Sequence, residues 1–182
     1  MSDQTPPRPP RPAIAVTPMR EPISDERPRI VDVALVTWAF TLITLLVTAA
    51  LVGVKHAAVR AELIRSLAED NRSTSGQDIR NTVDISLVAS AGGAAIVLIV
   101  VSYGCYQVRD RVMAGRAVLS VMGVLTAAGA IGFGTVIAPA RDAVNVAALV
   151  LPYVVAGLAV VATVLLHLGA VTAWLRAAPI RR

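Results

Sequence analysis

The chain has a single cysteine, Cys105, among 182 residues. An internal disulfide is impossible, which excludes a disulfide-stapled secreted domain. Aromatic residues make up only 4%. No aromatic–basic platform accompanies the arginines, which argues against nucleic acid as a partner. Charge is scarce at 16%, against about 25% in soluble domains. It is also unevenly placed. Four runs have no Asp, Glu, Lys or Arg: Val33–Val54, Ile85–Val108, Ala117–Ala140 and Ala143–Leu175.

What fills those runs is apolar. Hydrophobic residues reach 55% and mean hydropathy is +0.67. Roughly 20 apolar residues cross a ~30 Å hydrocarbon core. The sequence predicts an all-α membrane protein with four transmembrane helices, spanning about 30–54, 85–108, 117–138 and 146–175. An ordinary soluble enzyme and a coiled coil are excluded. The first run is too long for the core of a signal peptide, and no small-residue cleavage site ends it before Lys55, so a retained anchor is expected.

Basic residues set the expected topology. Lys and Arg collect on cytoplasmic loops. Eleven lie in 1–32, 109–116 and the C-terminus, against six in 55–84 and at Arg141. Both termini are expected in the cytoplasm, and the membrane is expected to be the plasma membrane. Trp38, Tyr103, Tyr106 and Trp174 fall near span ends on the same side, as an interfacial aromatic belt would. Arg27, Arg29, Arg109, Arg111, Arg116, Arg176, Arg181 and Arg182 form a basic ring there. They are candidate contacts for anionic lipid headgroups, each gaining roughly 1 kcal/mol near such a surface.

Residues 1–29 hold eight of the eleven prolines. Proline fixes φ and lacks an amide hydrogen, so this Pro/Arg-rich tail reads as disordered or polyproline II. Its two PxxP spacings suit either an aromatic groove or a solvated spacer. Residues 177–182 read as a short basic tail.

Within the 30–176 domain, Thr37, Thr41, Thr44 and Thr48 share one face of the first span. They suit a packing seam or a polar lining for a substrate path. In the extracytoplasmic loop 55–84, Val59, Leu63, Ile64 and Leu67 form the apolar stripe of an amphipathic helix. That helix is expected to extend the first span or lie on the outer leaflet. Ser75 before Asp78 resembles a cap, predicting a helix that starts there and enters the second span. Small-xxx-small pairs occur at Ala89/Gly93, Ala128/Gly132 and Ala130/Gly134. They predict close packing of the second and third spans. The fourth run is about 50 Å long as a helix. An outer interfacial stretch followed by a tilted span ending near Trp174 is expected.

Chemistry-bearing residues are few. No charge lies inside a span, which argues against proton coupling. His167 is the one ionisable group within a span, a candidate polar site. The plainer reading is a neutral imidazole bonded to a backbone carbonyl or a threonine. His56 lies at the opposite face, so a bis-histidine haem is not expected. Serines 86, 90, 102 and 120 lie in no Gly-x-Ser-x-Gly elbow. No catalytic, cofactor-binding or metal site is predicted.

Arg109–Gly123, RDRVMAGRAVLSVMG, is similar to a pattern R-x-G-R-x-W-A-R-x-V-L-T-V-L-G. Arg109, Arg116, Val118, Leu119 and Gly123 match it. Arg111 stands where the pattern has glycine, and Ala114 where it has tryptophan. Thr74–Leu87, TSGQDIRNTVDISL, is similar to a capped helix entering the second span. Over residues 30–137 the chain resembles the small four-helix integral membrane proteins of actinobacteria, whose function is unassigned. The resemblance implies topology and no active site. The function expected is a non-enzymatic accessory or scaffold subunit, packing with partner membrane proteins or itself. The alternative is a small oligomeric transporter or channel using the threonine stripe and His167.

Overall fold

A computed structural model describes residues 27–177. Its elements are α1 (Arg29–Val54), α2 (His56–Asp70), α3 (Gly76–Arg109), α4 (Met113–Ile137), a 3-10 turn (Ala138–Ala140), α5 (Val146–Leu166) and α6 (Gly169–Arg176). No strand occurs among the described residues. Four helices are long and apolar enough to cross a membrane: α1, α3, α4 with its 3-10 extension, and α5. The protein is an all-α, four-helix membrane protein. Residues 1–26 of the Pro-rich tail, and Arg181 and Arg182, lie outside the described residues.

Local chemistry sets several boundaries. The Ser75 hydroxyl accepts from the Asp78 amide at 3.2 Å and donates to the Asp78 carboxylate at 2.7 Å. This satisfies an otherwise orphaned amide at the helix start. From that cap α3 runs unbroken for 34 residues, about 51 Å at helical rise. The excess over a ~30 Å core projects beyond the bilayer.

The turn between α3 and α4 uses a left-handed residue. Arg111 has φ 60°. The Val112 amide reaches back to the Gln107 carbonyl at 2.9 Å, and the Arg111 amide to Val108 at 3.0 Å. This is a Schellman motif, usually built on glycine. The position is the one at which the resembled pattern carries glycine.

The spans do not pack in chain order. The last span, α5, lies between α1 and α4, and α4 also packs on α3, whereas α1 and α3 touch lightly. Ala148, Ala156, Ala159 and Ala162 are buried on α5. Small side chains let two neighbouring helices approach it closely. Pro152 is buried in the second turn of α5. Its missing amide removes one helical bond near the helix start.

Two apolar clusters close the ends. At the terminal end, where α1 begins and α6 stops, Trp38, Val108, Leu119, Leu166, Val171 and Trp174 pack together. At the other end, Val52, Val59, Leu63, Val83, Ala140 and Ala148 do so. Helix α2 therefore neither prolongs α1 nor presents its stripe to lipid. The chain turns at Lys55, and α2 packs on α3 and the 3-10 turn. Arg60 clamps this arrangement with two bonds to the Asp84 carboxylate, at 2.5 and 2.7 Å. The Asp84 partner raises the Arg60 pKa, chiefly through these hydrogen bonds.

The expected span 146–175 is broken. Helix α5 stops at Leu166 after 21 residues, about 32 Å, which already matches the bilayer. A separate helix α6 follows. Its Val171, Trp174 and Leu175 are buried on the bundle. Their spacing of three and four puts them on one face. The surplus length thus sits at the terminal end, not at the loop end.

Candidate functional site

At the terminal end, the corner between α5 and α6 faces the first three turns of α4 across a groove of about 430 Å³. Arg116, Ser120, His167, Thr172 and Arg176 supply its polar lining. Met113, Ala117 and Val121 supply its apolar lining. No carboxylate lines it.

The polar groups are positioned by hydrogen bonds. Arg116 donates to the Thr172 hydroxyl at 2.8 Å, linking α4 to α6. His167 Nδ1 lies 3.0 Å from the Thr163 carbonyl. A carbonyl only accepts, so in the neutral ring Nδ1 carries the proton and Nε2 is left as an acceptor. Nε2 is 3.4 Å from the Ser120 hydroxyl. Ser120 also has the Arg116 carbonyl at 2.8 Å. The shorter bond holds the hydroxyl proton on the helix. The arrangement is one of two guanidinium groups backed by hydroxyls, which suits an anion. Neither Arg116 nor Arg176 has an ion-pair partner among the described residues.

Beside this groove, Trp174 is packed under arginines. The Arg111 guanidinium is 4.8 Å from its ring centre and that of Arg27 is 6.0 Å away. Arg27 also pairs with Asp32 at 2.8 Å and donates to the Arg109 carbonyl at 3.4 Å. Arg29 begins α1 and Arg109 ends α3 at this same end. Trp38 and Trp174 belong to the core, with 0% and 4% exposure, whereas Tyr103 and Tyr106 face outward. An aromatic belt on lipid therefore draws on the tyrosines. The tryptophans are consumed by packing.

The threonine stripe is self-satisfied. Thr37, Thr41, Thr44 and Thr48 donate to the carbonyls of Val33, Thr37, Phe40 and Thr44, at 2.7–2.9 Å. Thr41 and Thr48 are buried on the first span, whose main neighbour is α5. Thr37 and Thr44 are only partly buried.

The small-residue pairs divide. A Cβ added at Gly93 or Gly132 would meet nothing within 4 Å. Ala89 and Ala128 are exposed, and Ala130 is partly buried. These positions do not join the second span to the third. Only Gly134 makes a close approach, and it does so to Tyr153 of α5. The α3–α4 contact is built instead by Gly104 against Leu119 and by Gly115 against Gln107 and Val108. Gly123 abuts Thr163 of α5. Spacing alone counts small residues on a face, and does not say which face the bundle covers.

His56 lies in α2 at the loop end, far from His167 at the terminal end of α5. No group of three or more His, Cys, Asp or Glu residues suited to a metal occurs among the described residues. Cys105 is partly buried on α3 against the terminal-end cluster. The meeting of Ser120 with His167 escapes sequence reading because the two are 47 residues apart. Arg116 and Thr172 are 56 apart.

The chain was compared with protein families, curated proteins and solved structures. It matches none of them.

Proposed function

We propose that this protein is a non-enzymatic accessory or scaffold subunit of the plasma membrane. It packs with a partner membrane protein or with a second copy of itself. Both termini face the cytoplasm in this reading, following the arginine asymmetry. Kinship with the small four-helix membrane proteins of actinobacteria belongs to the same proposal.

The carrying observation is the division of the glycines. Gly104, Gly115, Gly123 and Gly134 are used inside the bundle. Gly92 and Gly93 on α3 and Gly129 and Gly132 on α4 face open space. The α3–α4 hairpin is antiparallel about residue 111, so both outward sets lie at a similar depth. In lipid, close approach of small residues is a principal source of helix association, because lipid tails are as apolar as leucine. Only 6% of the apolar window of α3 is buried within the chain. A partner helix would cover it.

The alternative, an oligomeric transporter or channel using the threonine stripe and His167, has less support. Each stripe hydroxyl is already spent on its own helix.

Crosslinking in native membranes, followed by detergent pull-down and quantitative mass spectrometry, tests the proposal. The expected result is an enriched partner or a self-crosslink that Gly93→Leu weakens. Monomeric bait alone, identical for wild type and variant, counts against it. Liposome flux that exceeds empty vesicles and falls with His167→Ala would favour the transporter.

A further inference from the structure

We infer that the groove between α4 and the α5–α6 corner binds the phosphate group of an anionic membrane phospholipid. Three observations carry this. The first is charge. Arg116 and Arg176 line one groove without a carboxylate in its lining, and neither is paired among the described residues. Two guanidinium groups left unneutralised repel each other, and a phosphate between them offsets that repulsion with charge-assisted bonds.

The second is preorganisation. The Arg116 guanidinium is held against Thr172 at 2.8 Å, so part of its side-chain entropy is lost before any ligand arrives. The Ser120 hydroxyl is committed to the Arg116 carbonyl at 2.8 Å, so the guanidinium groups supply the donors for an anion.

The third is the wall above the arginines. Met113, Ala117 and Val121 recur at four-residue spacing on one face of α4. Met113 and Val121 are 52% and 60% exposed, and Val124 and Leu125 continue the exposed apolar surface towards the middle of the span. An apolar track leading into a cationic pocket matches an acyl chain joined to a phosphate. A free anion would use only the pocket. This inference does not rest on the accessory-subunit proposal, since its arginines lie at the start of α4 and in α6, whereas the outward glycines lie further along the spans.

The test uses full-length protein in detergent, titrated with phosphatidylglycerol or phosphatidylcholine, with bound lipid counted by native mass spectrometry. Wild type is expected to retain phosphatidylglycerol in preference. Arg116→Gln with Arg176→Gln is expected to lower that preference by about tenfold or more. Arg176→Gln alone changes an exposed residue at a helix end, keeps the fold, and is expected to lose about fivefold. Arg72→Gln, exposed at the opposite end, is expected to change nothing. An unchanged preference in both groove variants overturns the inference. So does full displacement of bound lipid by millimolar inorganic phosphate, which would assign the pocket to a free anion.

Discussion

The Arg111 guanidinium lies 4.8 Å from the centre of the Trp174 ring, while its own backbone holds φ at 60°. The side chain and the backbone of this one residue pull in opposite directions. A left-handed non-glycine residue costs about 1 kcal/mol. A cation over a buried indole returns roughly 1 kcal/mol. Arginine at this turn thus exchanges backbone ease for a grip on α6.

Arg111→Ala keeps the backbone cost and loses the contact. It should destabilise the protein by about 1 kcal/mol. Arg111→Gly loses the contact but relieves the backbone, and should fall within about 1 kcal/mol of wild type. Thermal or SDS unfolding of both variants reads the order. Glycine proving less stable than alanine would remove the Schellman account.

Gly123→Ala should destabilise by about 1–3 kcal/mol, because the new Cβ collides with the Thr163 hydroxyl across the α4–α5 contact. Thr163→Ala should recover part of the loss in a double-mutant cycle. Gly132→Ala, facing open space, should leave unfolding of the isolated chain unchanged. Equal losses at 123 and 132 would contradict the division of the glycines.

Thr126 is 4% exposed, and its hydroxyl oxygen is buried without a partner among the described residues. Thr126→Val should be neutral or stabilising by up to about 1 kcal/mol, since it removes an unsatisfied polar group at nearly constant shape. Thr41→Val, which forfeits a bond to the Thr37 carbonyl, should instead cost under about 1 kcal/mol. The unfolding free energy of Thr126→Val should exceed that of Thr41→Val.

Arg60 to Asp84 is the side-chain ion pair that ties α2 to α3. Arg60→Gln should raise amide exchange across residues 56–70 and leave α4 and α5 unaffected. The protection there rests also on Val59 and Leu63, so α2 should loosen without unfolding. Unchanged exchange in α2 would show that the apolar contacts alone hold it.

Local features were the legible ones. The Ser75–Asp78 cap is read directly because both partners lie within one helical turn. The amphipathic stripe of α2 is legible for the same reason, although its direction of packing is not. The carbonyl partner of His167 lies one turn earlier in the same helix, within reach of local reading. The break at residues 167–168 is marked only by His167 and Gly169 within a run that is otherwise uncharged and apolar, too little to separate a helix end from a continuous span. Bilayer thickness and the 171/174/175 face decide it together. The groove is hidden because it joins α4 to α6 across 56 residues.

The sequence by itself determined the number of spans, the cap of the second, the amphipathic loop helix and the scarcity of buried charge. Each follows from periodicity, local hydrogen bonding or transfer from water to hydrocarbon, which neighbouring residues suffice to specify. Tertiary structure alone decided that α5 lies between α1 and α4. It decided which glycines are spent and which are left outward, and that two arginines share one groove. Those outcomes depend on which helix faces meet. Every span carries small and apolar residues on several faces, so only the fit of whole helices against one another selects among them.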